Sequence, residues 1–203
     1  MSKTLWKPGT MVNPLPAVLV TCGSGPEDWN LLTVAWTGTV CTEPAMCYIS
    51  VRKERHSHAL IERNMEFTIN LTTASMARAT DWCGVRSGRD TDKFAATGLT
   101  PLPGLLVKSP TLEQSPLSIE CAVTQIMRLG SHDMFMARVL GVRADERYID
   151  PVCGRFDLEK ARLLCYSHGH YYALGEHLGH FGFSVRKTSA GKGSSDGKKQ
   201  NKA

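Results

Sequence analysis

The stretch SVRKERHSHALI, residues 50–61, decides the fold, because an apolar β-type run ends in it and a helical pattern begins in it. Ser50 and Arg52 close the run, and Ser57 is expected to cap the helix that follows. A strand end that delivers a hydroxyl and a guanidinium beside a helix N-terminus suits a phosphate group. The alternative is an ordinary helix start with Arg52 solvated at the surface, and these residues alone favour that alternative.

Outward from this stretch, short β-rich runs separated by turn residues dominate the chain. The predicted strands cover residues 17–22, 32–40, 45–51, 66–71, 117–129, 134–142 and 163–173. Short helices are predicted over residues 56–64 and 73–82, and residues 130–133 form the turn of a hairpin. The chain shows no βαβ alternation, so the expected fold is mainly β with short helices and antiparallel pairing, and a Rossmann or TIM-barrel fold is disfavoured.

Composition places these elements in one domain with one site. The chain has 203 residues, of which 42% are hydrophobic. No apolar run is long enough to cross a bilayer and no signal peptide is recognisable, so the expected location is the cytoplasm without a membrane partner. The seven cysteines form no CxxC pair and are expected to be reduced thiols in the core.

The net charge of +5 is concentrated at the carboxyl end. Six basic residues and one aspartate between positions 184 and 203 account for the whole excess. This Gly/Ser/Lys segment is predicted to be disordered from residue 188, because it has too little apolar surface to offset its ordering entropy. A solubilising tail is favoured over an RNA- or membrane-binding one, so no specific nucleic acid is expected as a partner.

Segments along nearly the whole chain, up to Lys187, resemble the flavin reductase-like family, in particular its flavoredoxin-type members. The segments are NLLTVAWTGTV (30–40), PAMCYISVRKERHSHALI (44–61), EFTINLTT (66–73), DWCGVRSGRDTDKF (81–94), SPLSIEC (115–121), GSHDMF (130–135), GRFDLEKARLLCYSHG (154–169) and FGFSVRK (181–187). They follow the order and spacing of the family. The resemblance implies one FMN-binding split β-barrel domain over residues 1–187, with Greek-key antiparallel topology, a homodimer, and FMN held without a covalent bond near the subunit interface.

The resemblance also implies the site residues. Ser50, Arg52 and Ser57 would bind the FMN phosphate, and Ser87 and Lys93 would add a hydroxyl and a cation. The full set of implied cofactor-binding residues is Ala35, Trp36, Thr37, Ser50, Val51, Arg52, Ser57, Asn70, Leu71, Ser87, Lys93 and His168. His132, in the hairpin turn, is the candidate catalytic residue, because an imidazole there would face the open side of the flavin and help position a nicotinamide.

Simpler roles remain open for several of these residues. Trp36 is equally well explained as a core aromatic, Asn70 as a hydrogen-bonded core amide, and His132 as a turn residue bonded to its own backbone. The histidines at 168, 170, 177 and 180 invite a metal site, but no carboxylate or cysteine joins them at a usual ligand spacing, so no metal is expected.

The activity implied by the resemblance is that of an FMN-dependent oxidoreductase. It would take electrons from NAD(P)H or a protein donor and pass them through the flavin to a small-molecule or protein acceptor. The alternative is a non-catalytic FMN carrier or electron-transfer module, and the sequence leaves both open. The chain has no GxGxxG fingerprint, so a nicotinamide would bind on the flavin face and not in a domain of its own.

Overall fold

The computed structural model describes residues 1–185, so the predicted disordered tail over residues 188–203 lies outside the described residues. The strands are β1 (Leu15–Pro16), β2 (Val18–Cys22), β3 (Asn30–Val34), β4 (Thr37–Cys41), β5 (Met46–Arg52), β6 (Glu66–Leu71), β7 (Pro101–Leu102), β8 (Thr111–Leu112), β9 (Leu117–Leu129), β10 (His132–Ala144), β11 (Leu164–Ser167) and β12 (His170–Ala173). The α-helices are α1 (His56–Asn64), α2 (Ala77–Val85), α3 (Lys93–Thr97) and α4 (Leu158–Ala161), and short 3₁₀ turns occur at Ala74–Met76, Glu146–Tyr148 and Phe183–Val185. Over residues 1–185, no helix has both the length and the apolar character that a membrane span requires.

Seven strands form one antiparallel sheet in the order β3-β2-β6-β9-β10-β5-β4. The two edge strands, β3 and β4, are consecutive in the chain, and β3 also contacts β5. The sheet therefore curls until its edges approach one another, which removes most of the exposed edge. The interior is filled by the inward residues of these strands, among them Phe67 and Phe135 with no exposed surface. The predicted fold class, mainly β with short helices in an antiparallel barrel, is confirmed.

The predicted strand over residues 32–40 is two strands. β3 pairs with β2, whereas β4 pairs with β5, so the chain changes partners at Ala35 and Trp36. At this break the carbonyl of Trp36 accepts a hydrogen bond from the Ser50 amide at 2.8 Å. The sequence does not reveal the break, because small and β-branched residues alternate on both sides of it. The change of partner depends on strands that are distant in sequence.

Two hairpins also differ from the sequence prediction. β10 begins at His132, because His132 pairs with Leu129, and only Gly130 and Ser131 form the turn. The predicted strand over residues 163–173 is the hairpin β11–β12, whose turn is formed by His168 and Gly169, both with positive φ. Positive φ at both central residues is typical of a two-residue hairpin turn.

α1 has the predicted bounds, but Ser57 is not its N-cap. Arg55 occupies the capping position, and no side chain caps the helix. Ser57 is the second helical residue, and its buried hydroxyl accepts a hydrogen bond from the Asn30 amide nitrogen at 2.7 Å. The predicted helix over residues 73–82 is a 3₁₀ turn followed by α2, which ends at Val85.

The cysteine prediction holds only in part. All seven cysteines are free thiols, and Cys22, Cys47, Cys83 and Cys121 are buried as expected. Cys153 is exposed, contrary to the expectation of a core thiol, because it lies in a surface turn between Asp150 and Gly154.

Two buried or half-buried carboxylates hold the proline-rich segment over residues 100–116 against the barrel. Glu120 on β9 accepts hydrogen bonds from the backbone amides of residues 105–107, with its Oε2 2.6–3.1 Å from the three nitrogens. Glu66 on β6 accepts from the amides of residues 108 and 109 at 2.7 and 3.2 Å. The segment is therefore fixed through its main chain.

Asn70, fully buried on β6, joins four parts of the fold. Its Nδ2 donates to the Leu19 carbonyl and to the Thr21 hydroxyl, both at 3.1 Å. Its Oδ1 accepts from the Leu112 amide at 3.0 Å and from the Ser118 hydroxyl at 2.7 Å. All of its hydrogen-bonding capacity is used inside the barrel wall, which makes Asn70 a structural amide.

Replacing Asn70 with alanine is expected to lower the free energy of unfolding by about 1–3 kcal/mol for each buried partner left unsatisfied. Urea denaturation measures the change. The matched control is Thr124→Ala, which removes an exposed hydroxyl that bonds to one carbonyl of the same sheet and is expected to change stability by less than about 1 kcal/mol. Similar unfolding midpoints for the two variants would contradict the structural role of Asn70.

Candidate functional site

Two adjoining cavities, which share Leu32 and Arg55 in their walls, form a cleft beside the start of α1. The first has a volume of about 280 Å³ and is lined by Asn30, Leu32, Glu54, Arg55, His56, Ser57, Val85, Arg86, Ser87, Gly88 and Lys93. The second has a volume of about 170 Å³ and is lined by Ala17, Leu32, Thr33, Val34, Ala35, Trp36, Ser50, Val51, Arg52, Arg55, Gly84, His132, Tyr166 and Tyr171. Together they have the size of a small-molecule site.

The first cavity, hereafter the basic cavity, contains a buried lysine. Lys93 is only 4% exposed, and its Nζ donates hydrogen bonds to the carbonyls of Leu31 and Cys83, both at 2.9 Å. Burial lowers the pKa of Lys93 from its ordinary value. Among residues 1–185, no carboxylate lies within ion-pair distance of it. A buried cation with neutral partners alone is costly, and an anion in the cavity would offset that cost.

The start of α1 adds further positive potential to the basic cavity. The helix has no side-chain cap and no acidic residue in its first turn, so its first amide groups remain available to an anion. Burial, together with the charges of Arg89 and Lys93, holds the pKa of His56 below its ordinary value. Arg55 and Arg86 line the same space, and Ser57 and Ser87 supply hydroxyls. The donor set is the one that a phosphate requires.

Close packing of the loop after α2 shapes the cavity wall. A Cβ atom at Gly88 would lie 2.2 Å from Oδ1 of Asn30, so only glycine permits this approach. The amide of Asn30 in turn bonds to Ser57 at the start of α1. Strand β3, helix α1 and the loop over residues 86–92 therefore meet around one asparagine.

The second cavity, hereafter the aromatic cavity, combines apolar walls with polar rims. Trp36 is 41% exposed, and its ring centroid lies 5.6 Å from that of His132. Tyr166 and Tyr171, register partners in the β11–β12 hairpin, line the other side. Burial, reinforced by Asp81, raises the pKa of Tyr171 to about 12, which keeps its hydroxyl protonated. The cavity suits a flat ring system with polar edges.

His132 lies at the first position of β10, directly opposite Arg52 on β5. Its Nδ1 is 2.9 Å from the Ser131 hydroxyl. Burial and the positive charge of Arg52 both lower the pKa of His132. The imidazole is therefore neutral at pH 7 and offers one N–H donor and one nitrogen acceptor.

The structure brings most of the residues proposed from the sequence to this cleft but divides them between its two parts. Ser57, Ser87 and Lys93 line the basic cavity, whereas Ala35, Trp36, Ser50, Val51, Arg52 and His132 line the aromatic cavity.

The expected grouping of Ser50 and Arg52 with Lys93 at one phosphate stays a prediction, because these residues line different parts of the cleft. β5 continues to Arg52, which pairs with His132 in register and forms an ion pair with Glu54 at 3.1 Å. Ser50 and Arg52 therefore line the aromatic cavity. Arg55, three positions after Arg52, is the arginine that reaches the basic cavity.

Four expected binding residues lie outside the cleft walls. Thr37 is buried, and its hydroxyl donates to the Tyr48 carbonyl at 2.6 Å. Asn70 uses its amide within the barrel wall, and Leu71, next to it, packs against the core. His168 is at the exposed tip of its hairpin, because the predicted last strand turns back at that residue.

The sequence analysis missed Arg55, Tyr166 and Tyr171. Arg55 belongs to the opening stretch, where its position just before a helix was a usable signal for an anion contact. The tyrosines flank a Ser-His-Gly-His turn, and recognising that turn as a hairpin would have placed both rings on one face. The contribution of Asn30 carried no local signal, since it depends on packing against Gly88.

Comparisons with known proteins match this geometry. The sequence model of the family named "Flavin reductase like domain" matches residues 11–175. Flavoredoxin of Desulfovibrio vulgaris (Miyazaki F) has a TM-score of 0.84 at 29% identity, over 92% of this chain and 100% of that one. A split barrel domain protein from Shewanella frigidimarina has a TM-score of 0.74 at 22% identity, over 82% and 85% of the two chains. FMN reductase (NADH) RutF of Pantoea ananatis is 24% identical over 130 residues, or 64% of this chain and 66% of that protein.

The barrel has the split-barrel fold of these flavin-binding neighbours, as the sequence resemblance implied. The family model spans most of the chain and includes every wall residue of the cleft. This chain therefore belongs to the flavin reductase-like family.

Proposed function

We propose that the cleft binds FMN and that the protein is an FMN-dependent oxidoreductase that takes electrons from NAD(P)H. One observation carries the proposal: a buried lysine without a carboxylate partner among residues 1–185 lines a cavity that continues into an aromatic one. A ligand with a terminal phosphate and a flat ring system satisfies both. The similarity to a flavoredoxin and to an FMN reductase (NADH) supports the same cofactor.

The basic cavity would hold the phosphate. Lys93 and Arg55 supply two cations, Ser57 and Ser87 supply hydroxyls, and the first turn of α1 supplies amide donors. A dianionic phosphate at a partly buried position needs compensation of this order. Riboflavin, which lacks the phosphate, would leave these groups unused.

The aromatic cavity would hold the ring system. FMN, when bound, supplies reversible acceptance of a hydride or of single electrons. Ala35 and Trp36, which lie between β3 and β4, line this cavity, and the two tyrosines would limit access of water. Arg52 and His132 lie at the rim, where they would orient the carboxamide of a nicotinamide.

The acceptor of the electrons is proposed to be a free flavin, a metal complex or another protein. The proposed compartment is the cytoplasm, where seven free thiols would stay reduced. Anaerobic mixing of the purified protein with NADH or NADPH tests the proposal. Rapid loss of the oxidised flavin absorbance is expected, whereas persistent oxidised flavin would instead favour a non-catalytic FMN carrier or electron-transfer module.

Removing the buried lysine cation of the basic cavity is expected to weaken FMN binding selectively. In Lys93→Met, the loss of a charge-assisted contact of about 1.5–3 kcal/mol raises the dissociation constant for FMN roughly ten- to hundredfold. Riboflavin affinity is expected to change little. Fluorescence titration of the flavin-free protein with both ligands measures the difference.

Two variants serve as comparisons for Lys93→Met. Lys108→Met, which changes an exposed lysine outside the cleft, is expected to bind both ligands as the parent does. Arg52→Ala is expected to affect FMN binding less than Lys93→Met, because Arg52 opens on the aromatic cavity. If Lys93→Met weakens FMN and riboflavin equally, the phosphate does not bind at Lys93.

Replacing His132 with alanine is expected to slow flavin reduction while leaving FMN affinity nearly unchanged. FMN affinity should change little, because the phosphate contacts lie in the other cavity. The anaerobic reduction rate should fall about ten- to hundredfold, because the imidazole would position the nicotinamide. His170→Ala, at an exposed position of β12, is the matched control and is expected to react at the parent rate. Equal rates in His132→Ala and the control would exclude a catalytic role for His132.

We also propose that the protein is a homodimer whose partner copy covers the exposed apolar side chains of the two terminal segments. Trp6, Leu178 and Phe181 are among the most exposed of these. Light scattering is expected to give twice the chain mass of 22.3 kDa. The double change Leu178→Ser and Phe181→Ser should weaken association, since it removes apolar area from the contact. A monomer that retains FMN at micromolar concentration would contradict the dimer.

A further inference from the structure

A buried carboxylate lies directly behind the cleft. Asp133, the second residue of β10, has no exposed surface. Its Oδ2 accepts a hydrogen bond from Nε2 of His58 at 2.8 Å and another from the Arg128 guanidinium. Lys53 approaches the other oxygen at 3.6 Å. Burial alone would raise the pKa of Asp133, but the hydrogen bonds from Arg128 and His58 hold it below its ordinary value. The carboxylate is therefore ionised, with Oδ2 hydrogen-bonded to two neighbouring elements and Oδ1 facing Lys53 without a hydrogen bond among the described residues.

These contacts close into a ring. His58 on α1 has its Nδ1 3.7 Å from a carboxylate oxygen of Glu62, one helical turn later. Arg128 at the end of β9 bridges Glu62 and Asp133. The ring, hereafter the Asp133 network, thus consists of Asp133, His58, Glu62 and Arg128, with Lys53 beside it. Because an ionised carboxylate only accepts, His58 must carry a proton on Nε2.

Two members of the network, His58 and Asp133, are each adjacent in sequence to a residue that lines the cleft. His58 follows Ser57 of the basic cavity, and Asp133 follows His132 of the aromatic cavity. Successive strand residues point to opposite faces, so His132 faces the cleft while Asp133 faces inward. No member of the network lines the cleft itself. The hydrogen bond between His58 and Asp133 therefore joins the two halves of the cleft from behind.

The first turn of α1 has few other restraints. No side chain caps it, and its side-chain hydrogen bonds to the barrel are those of Ser57 with Asn30 on β3 and of His58 with Asp133 on β10. His58 also packs edge-on against Phe135, with 5.2 Å between ring centroids. Loss of the His58 bond would leave one side-chain hydrogen bond between this turn and the barrel, and it would remove one of the two hydrogen-bond donors to the buried Asp133 charge.

We propose that His58 and Asp133 are positioning residues, which fix the phosphate-binding turn and His132 at the separation that electron transfer to the flavin requires. The inference rests on the proposed function, since it assigns His132 a task in that transfer. Neither residue touches cofactor or substrate. Their effect is on geometry, and a misplacement of about 1 Å at a reacting group is enough to reduce a rate by roughly a hundredfold.

Three variants of the full chain separate positioning from general stability. His58→Leu removes the donor at similar volume, and His58→Gln keeps an N–H group that can reach Asp133. Val123→Ala is the matched control, because it opens a hole in the same barrel core but belongs to neither the Asp133 network nor the cleft. Thermal midpoints of all three are recorded first, and kinetics are measured where each remains folded.

The kinetic readout is the anaerobic reduction rate at saturating NADH or NADPH. His58→Leu is expected to lower it about tenfold or more, and His58→Gln to restore it to within about threefold of the parent. Val123→Ala is expected to lose thermal stability while keeping the parent rate. If His58→Leu and Val123→Ala have the same rate at equal loss of stability, positioning is excluded.

A second readout does not depend on flavin chemistry. In protein labelled with ¹⁵N-histidine, the ring resonances of His132 are expected to shift in His58→Leu and to keep the parent positions in His58→Gln and Val123→Ala. Unmoved His132 resonances in His58→Leu would overturn the inference even if the parent is an active reductase. A parent that binds no FMN would instead refute the proposed function, and the His132 resonances would still decide on positioning.

Discussion

The antiparallel pairing of β5 with β10 is the contact on which the rest of the site depends. It places Arg52 opposite His132 and Val51 opposite Asp133. Because side chains alternate between faces, a slip of one residue would turn His132 into the core and Asp133 out into the cleft. The same register therefore determines which residue faces the ligand and which is buried. The β5–β10 pairing runs without a shift from His132 to Arg138, and β10 also pairs with β9 from His132 to Ala144 with two irregularities in register.

The cleft separates two electrostatic tasks. Its basic cavity concentrates positive charge, with Lys93 and Arg55 close to uncapped helix amides. Its aromatic cavity combines Arg52 with His132 and Tyr171, whose neutral forms are favoured at pH 7 because burial lowers the pKa of His132 and raises that of Tyr171. If charge in the basic cavity holds the ligand, the groups of the aromatic cavity can respond to charge that develops during the reaction. An anion held at Lys93 would also add to the stability of the fold, because it neutralises a buried cation.

Local patterns predicted the local features well and the distant ones poorly. The bounds of α1 and the existence of the β9–β10 hairpin follow from apolar periodicity and turn residues, and both were predicted, although β10 begins two residues earlier than expected. The division of the site between two cavities was not predicted. It depends on how far β5 continues before the helix, because this length decides whether Arg52 or Arg55 reaches Lys93. Likewise Asn70 resembled a binding residue, as a polar group in an apolar strand does. Its partners come from strands as much as 51 positions away, which no local pattern reveals.

The attachment of the segment over residues 100–116 has a consequence for how this surface can change. Glu120 and Glu66 accept hydrogen bonds from the main-chain amides of residues 105–109 and none from the side chains there. Any residue with an amide hydrogen preserves those five bonds, and proline alone removes one. The exposed side chains of Leu105, Leu106 and Lys108 can therefore diverge during evolution, or be redesigned, without removing these bonds, whereas Val107 and Ser109 are buried. Variation would instead be restricted at the two glutamates.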